Sequence, residues 1–318
     1  MFNSPVTRRR APLVGVLLAS VTLAVTACSG GTASVPGGAP SSGAAGTAAD
    51  ALFSSAPVAG KDLIIPGSTM AAIKKRGKLI VATSLEAPLV SQQDPTDPNK
   101  VTGFDADLAK MLAIYILGKP NVEWLPSAVE TREALLANGT VDAVFSTYTI
   151  TPKRATQVDF AGPYFTSGLA VAVKSDNTTI KGIGDLGGKT LIVQTSSPAV
   201  TEMTKKQPTA TLVPFATTPE GVQALIQGRG EAYVQDYVLL ASSSSSNKAI
   251  KIVGQPFTSE PYGIGLKHGD SKFKDFVNTW LTTIQAKGLW GQVWKTTLGT
   301  VTDSPIPTPP AIGSVPGS

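Results

Sequence analysis

The chain has 318 residues, 42% hydrophobic and 15% charged, enough to bury one large or two modest domains. A single cysteine and a single histidine exclude an intramolecular disulfide and any His/Cys cluster with metal-ligand spacing. The net charge of +5 rests largely on the first 27 residues, which hold three arginines and no acid. Without them 24 basic residues face 22 acidic ones, a net +2 that implies no nucleic-acid surface.

Residues 1–27 read as an export signal: Arg8-Arg9-Arg10, then an apolar run from Ala11 to Ala24, too short for a lasting membrane span. Val25-Thr26-Ala27-Cys28 resembles the lipobox of bacterial lipoproteins, which puts lipid on Cys28 and the domain on the extracytoplasmic face of the cell membrane. The arginine run leaves both the Sec and the twin-arginine export routes open. Residues 28–69 are rich in Gly, Ala, Ser and Pro and predict a flexible tether, with a reach of roughly 35 Å. Residues 302–318 predict a disordered tail on the same grounds, so the folded unit is expected between about 70 and 300.

Inside that unit, strand and helix patterns alternate. Leu79–Thr83 predicts a strand, Phe104–Leu117 an amphipathic helix, Val122–Leu125 a strand, and Glu130–Ala137 a helix stopped by Asn138-Gly139. Val141 to Phe145 reads as a buried strand that runs into Thr151-Pro152, a helix start with Thr as N-cap and Pro at the first helical position. Arg154 follows in the first turn. Hydroxyls, backbone N–H groups, a helix start and a guanidinium thus converge within nine residues, a combination that suits a small carboxylate. By spacing alone, an ordinary capped helix with a solvated arginine fits equally well.

The pattern restarts after Asn177, with strands at Thr190–Gln194, Thr211–Val213, Ala232–Gln235 and Ile250–Val253. Helix starts follow at Ser197-Pro198 and Pro219, and residues 242–246 read as a serine loop. Tyr262–Leu266 predicts a last strand and Ser271–Lys287 a long helix. Two successive βα sets predict two α/β lobes with largely parallel sheets, whose ligands sit beyond the carboxyl ends of the strands. The segments to inspect are therefore residues 83–86, 146–149, 195–197 and 235–236.

Gly103-Phe-Asp-Ala-Asp-Leu-Ala-Lys-Met-Leu-Ala113, Gly139-Thr-Val-Asp142, Thr149 to Tyr164, Asp185-Leu-Gly-Gly-Lys189 and Val234-Gln-Asp236 together resemble the polar-amino-acid solute-binding proteins of ABC importers. The resemblance covers about residues 70 to 297, with Ala106 standing where a larger aliphatic residue is usual. It implies a type II periplasmic-binding-protein fold, with lobe 1 at 70–172 and 264–301, lobe 2 at 173–263, two crossing strands and a cleft between. It further implies a monomer that closes on one amino acid and delivers it to a membrane permease with its ATPase, without a cofactor.

Carried onto this chain, the resemblance assigns the ligand α-carboxylate to Arg154, Thr149, Ser196 and Ser197, and the α-ammonium to Asp236, Thr147 and Thr149. For the side chain it points to Arg132, with Glu86 and Thr83 at the pocket wall. Arg132 and Glu86 pull in opposite directions, and an acidic amino acid or its amide is expected, glutamate first. An amino-acid sensor and a dehydratase-like enzyme on the same fold are the rival readings. The second finds little equipment: the only histidine, His268, falls in a predicted surface loop. Trp280, Trp290 and Trp294 read as packing residues of the C-terminal helices.

Overall fold

A computed structural model describes residues 51–301 and 305–318, so the export signal, Cys28 and the first part of the tether lie outside the described residues. In chain order the strands are β1 (Leu79–Thr83), β2 (Glu86–Ala87), β3 (Ser91–Gln93), β4 (Val101–Thr102), β5 (Val122–Pro126), β6 (Ala143–Val144) and β7 (Val158–Ser167). They continue with β8 (Leu169–Lys174), β9 (Thr190–Gln194), β10 (Thr211–Phe215), β11 (Ala232–Asp236), β12 (Ile250–Val253) and β13 (Glu260–Lys267). Two five-stranded sheets result, ordered β5-β1-β6-β13-β7 and β10-β9-β11-β8-β12. In each, four strands run in one direction and the fourth in order, β13 or β8, runs against them, so the lobes share one plan. A small β2-β3-β4 sheet sits beside the first.

The chain crosses between lobes twice, at Gly168 and at the segment ahead of Glu260. These crossings replace the expected boundaries at 172/173 and 263/264: β8 belongs wholly to lobe 2, and Glu260 to Gly263 already pair with lobe 1. Gly168 is required by close approach, since a Cβ there would sit 2.5 Å from the Thr258 carbonyl oxygen. The two crossings are tied by Leu169 N–H donating to Thr258 Oγ1 at 2.8 Å and by Phe257 N–H donating to the Leu169 carbonyl at 2.9 Å.

Lobe 1 is built around the Phe104–Leu117 helix and the Ser271–Ala286 and Leu289–Thr296 helices, with Trp280 and Trp290 fully buried. Gly103 sets the entry to the first of these: its φ is 123°, and a Cβ would meet the Val90 backbone at 2.5 Å.

Three expectations change. Residues 51–68 are folded onto lobe 1 instead of forming tether: residues 51–54 are helical, Leu52 is buried, and Ala59 N–H donates to the Tyr115 carbonyl at 2.8 Å. The apolar run Ala51-Leu52-Phe53 supplies the anchor that the surrounding small residues lack. Residues 305–318 carry no helix or strand yet lie against lobe 1, with Gly313 N–H on the Gly162 carbonyl at 2.8 Å and Ile312 and Val315 packed on its apolar clusters. A few aliphatic anchors outweigh the Pro/Gly composition there. Residues 242–246 extend a helix, Tyr237–Ser246, in which Ser243, Ser244 and Ser245 bond back to carbonyls three or four residues earlier. Val158–Ser167, to which no element was assigned from sequence, forms a ten-residue strand that carries a Gly-Pro pair.

Candidate binding site

The carboxyl ends of β1, β6, β9 and β11 converge on a partly open cleft between the lobes. Arg154 reaches it from the four-residue helix Pro152–Ala155. Thr151 caps that helix by accepting from Arg154 N–H at 3.2 Å, with Pro152 at its first position. Arg154 is 7% exposed; its Nη1 donates to the Thr149 carbonyl at 2.9 Å, and Glu133 lies 3.6 Å from Nε. Nη2 donates across the cleft to the Ser196 carbonyl at 3.4 Å, so the lobes touch here. They also touch where Ser242 Oγ donates to the Pro88 carbonyl and where Val238 and Leu239 join the apolar cluster of lobe 1.

Arg132 opens the helix Arg132–Ala137 and turns into the same cleft, only 5% exposed. Its Nε finds no hydrogen-bond partner among the described residues. Arg132 and Arg154 lie 5.2 and 5.0 Å from the ring centre of Tyr148, a cation–π contact for each that sets two like charges beside one another. Burial first, and the Arg154 charge second, lower the Arg132 pKa to about 10. Two crowded, desolvated guanidiniums call for an anion.

Asp236 ends β11 on the opposite lobe and caps the Tyr237–Ser246 helix, its Oδ1 accepting from Val238 N–H at 2.8 Å and Ser167 Oγ–H at 2.9 Å. Burial pushes its carboxyl up to about 6, against the pull of neighbouring hydroxyls and backbone N–H groups. Glu86 lines the cleft half-buried, raised by burial and by Glu220 and lowered by Arg132. The two residues with opposed charges therefore face one space and moderate each other.

Most sequence-predicted site residues meet in this cleft: Arg132, Arg154, Thr147, Thr149, Ser197, Asp236 and Glu86 all line it. Thr83 does not. It is fully buried behind the end of β1, and Ser84 takes the rim position, because the pleat turns alternate residues to opposite faces. Ser196 contributes a backbone carbonyl from a left-handed conformation (φ 59°), and the hydroxyl of Ser197 donates back to the Gln194 carbonyl at 2.7 Å.

Two acids escaped sequence reasoning. Asp105, at the start of the Phe104–Leu117 helix, is fully buried and accepts from Thr147 N–H at 2.7 Å and Tyr164 O–H at 2.8 Å. It pins Thr147 in a left-handed conformation (φ 43°), and burial pushes its carboxyl up to about 6. The only available signal was an acid among apolar neighbours in a helical pattern. Glu260, on the crossing strand, lines the cleft at 5% exposure. Beneath the site, Gln235 Nε2 donates to Gln194 Oε1 and Tyr233 Oη, each at 2.8 Å, fixing the ends of β9 and β11.

A two-lobed cleft with buried cations on one wall and a buried acid on the other suits a small solute that carries both charges. The model of the bacterial extracellular solute-binding proteins, family 3, matches residues 79–299, and the chain belongs to that family. Its type II periplasmic-binding-protein fold follows from the sheet plan and from solved relatives. The solute receptor for L-cysteine of Neisseria gonorrhoeae superposes with a TM-score of 0.69 at 30% identity, covering 74% of this chain and 95% of that one. Among curated relatives, the ABC transporter glutamine-binding protein GlnH of Bacillus subtilis (strain 168) is 32% identical over 229 residues, 71% of this chain and 83% of its own length. The glutamate-binding protein GluB of Corynebacterium efficiens is 30% identical over 245 residues, 73% and 83% respectively.

Proposed function

We propose that this protein is an extracytoplasmic receptor for a polar amino acid, L-glutamine first, and that it delivers this ligand to an ABC permease. The observation that carries the reading is the pair of buried guanidiniums on Tyr148, one with an unpartnered Nε, facing Asp236 across the cleft. Arg154 takes the α-carboxylate with the help of Thr149, and Asp236 takes the α-ammonium together with the Thr147 carbonyl. A zwitterion then bridges the lobes and favours their closure through its differential affinity for the closed state.

The side chain lies between Arg132 and Glu86. An amide serves both, its oxygen accepting from Arg132 and its nitrogen donating to Glu86. Glutamate would bring a further carboxylate beside Glu86, which reverses the order expected from sequence. Glutamate remains a second reading because burial and Glu220 favour a protonated Glu86, which could donate to a distal carboxylate. The relatives that bind glutamine and glutamate support this ligand class. We further propose that lipid on Cys28 holds the receptor at the membrane, a reading that rests on the lipobox-like Val25 to Cys28.

A thermal-shift screen over the twenty amino acids tests the ligand assignment, since a ligand that binds only the folded state raises the midpoint. Glutamine is expected to give the largest rise. A top rank for lysine or arginine would transfer the selecting role to Glu86 alone, and turnover of a bound compound would favour the enzyme reading.

A further inference from the structure

Glu260 is the first residue of β13 as the chain returns to lobe 1, and its register partner on the neighbouring crossing strand is Ser167. Ser167 is the residue whose hydroxyl donates to Asp236 at 2.9 Å. The Glu260 carboxylate is thus brought towards Asp236 where the two lobes meet, buried and lining the cavity. It is also wired to the hinge. Thr258 Oγ1–H donates to Glu260 Oε1 at 2.8 Å, and Thr258 Oγ1 itself accepts from Leu169 N–H at 2.8 Å. Thr258 and Leu169 belong to the two crossing segments, so two hydrogen bonds join a carboxylate in the cleft to the place where the lobes pivot.

The charges around Glu260 come from several elements. Asp236 and, more weakly, Glu202 oppose its ionisation, while the hydroxyls of Thr258 and Thr149 favour it. The Arg154 charge is favoured in turn by that of Glu260. Two carboxylates in a largely desolvated space repel one another unless a cation comes between them. Arg154 is already held by Glu133 and two backbone carbonyls.

We propose that Glu260 is a second acidic anchor for the ligand's α-ammonium, acting with Asp236, and that through Thr258 and Leu169 it ties occupancy of the ammonium site to the hinge. The proposal rests on the zwitterion reading above. It explains why the acid is carried by the crossing strand: a group there moves with the pivot and meets the ligand as the lobes close. Free of ligand, the paired acids work against closure. With an ammonium between them, they favour it.

The test is Glu260→Gln, which keeps shape and removes charge, with glutamine binding measured by calorimetry and the ligand-free melting midpoint measured in parallel. Glutamine binding is expected to weaken by at least about tenfold, the loss of a charge-assisted contact. The ligand-free midpoint is expected to hold or rise, because a buried like-charge repulsion has been removed. Thr258→Val, which leaves the carboxylate but detaches it from the hinge, is expected to weaken binding less than Glu260→Gln does. Affinity within twofold of the wild type in Glu260→Gln would overturn the proposal. So would a fall in the ligand-free midpoint, which would mark Glu260 as a structural partner of Arg154. If the wild-type protein itself bound no amino acid, the receptor reading would fail first; wild-type binding with an indifferent Glu260→Gln would remove only this inference.

Discussion

Replacing Arg132 with methionine should make the ligand-free protein more stable and the receptor worse. Arg132 is 5% exposed, and burial beside Arg154 takes its pKa from 12.5 to about 10. That difference corresponds to about 3 kcal/mol against the charged form. Because the folded-state value lies below the unfolded one, the charged side chain opposes folding at every pH below about 10, including neutrality. Methionine fills a similar volume without the charge, but forfeits the contact with Tyr148, about 0.5–2 kcal/mol. The net expectation is a gain of about 1–2.5 kcal/mol, or roughly 2–10 °C in the ligand-free midpoint. Glutamine should meanwhile lose a charge-assisted hydrogen bond, about 1.5–3 kcal/mol, so its Kd should rise roughly ten- to a hundredfold. Differential scanning calorimetry and titration calorimetry on one preparation read both quantities. A variant less stable than the wild type, or one binding within threefold of it, would refute the reasoning.

Asp105→Ala strips the acceptor from Thr147 N–H and Tyr164 O–H, at about 1–3 kcal/mol each, partly offset by removal of a buried charge. A net loss of about 1–3 kcal/mol is expected in urea unfolding, and an unmoved midpoint would show that the acid holds nothing in place. Since Asp236 ionises only at about 6 in the folded protein, glutamine affinity should climb between pH 5 and 7 and then level off. Binding near pH 6 should release protons, seen by calorimetry in buffers of different ionisation enthalpy; affinity that rises on acidification would count against Asp236 as the ammonium anchor. Val315→Asp should lower the melting midpoint by a few degrees, from about 1–2 kcal/mol of lost packing on lobe 1. No change would mean that residues 305–318 contribute nothing to the folded state.

Much of the cleft was legible because its key residues sit where local signals are strong. Arg154 follows a Thr-Pro cap, and Asp236 follows a short apolar strand; both can be placed at strand or helix ends from neighbours alone. What stayed hidden depends on contacts between distant parts of the chain. Asp105 matters because Thr147, 42 residues later, and Tyr164, 59 residues later, donate to it. Glu260 matters because its strand pairs with Ser167, a neighbour of Asp236 only after both crossings form. Composition misled at both ends of the domain, where Leu52 and Val315 pack among small and proline-rich neighbours that dominate any averaged window. The serine run misled for a related reason: hydroxyls favour loops by competing for backbone bonds, yet here they bond back within their own helix.

Titration calorimetry with L-glutamine on the wild type, Arg154→Ala and Asp236→Ala tests most directly the claim that a zwitterion bridges the lobes. The wild type should bind, and each variant should lose at least about a hundredfold in affinity while keeping its native circular-dichroism spectrum, since each change leaves an opposite ligand charge unpaired in a desolvated cleft. Near-native affinity in either folded variant would contradict the account.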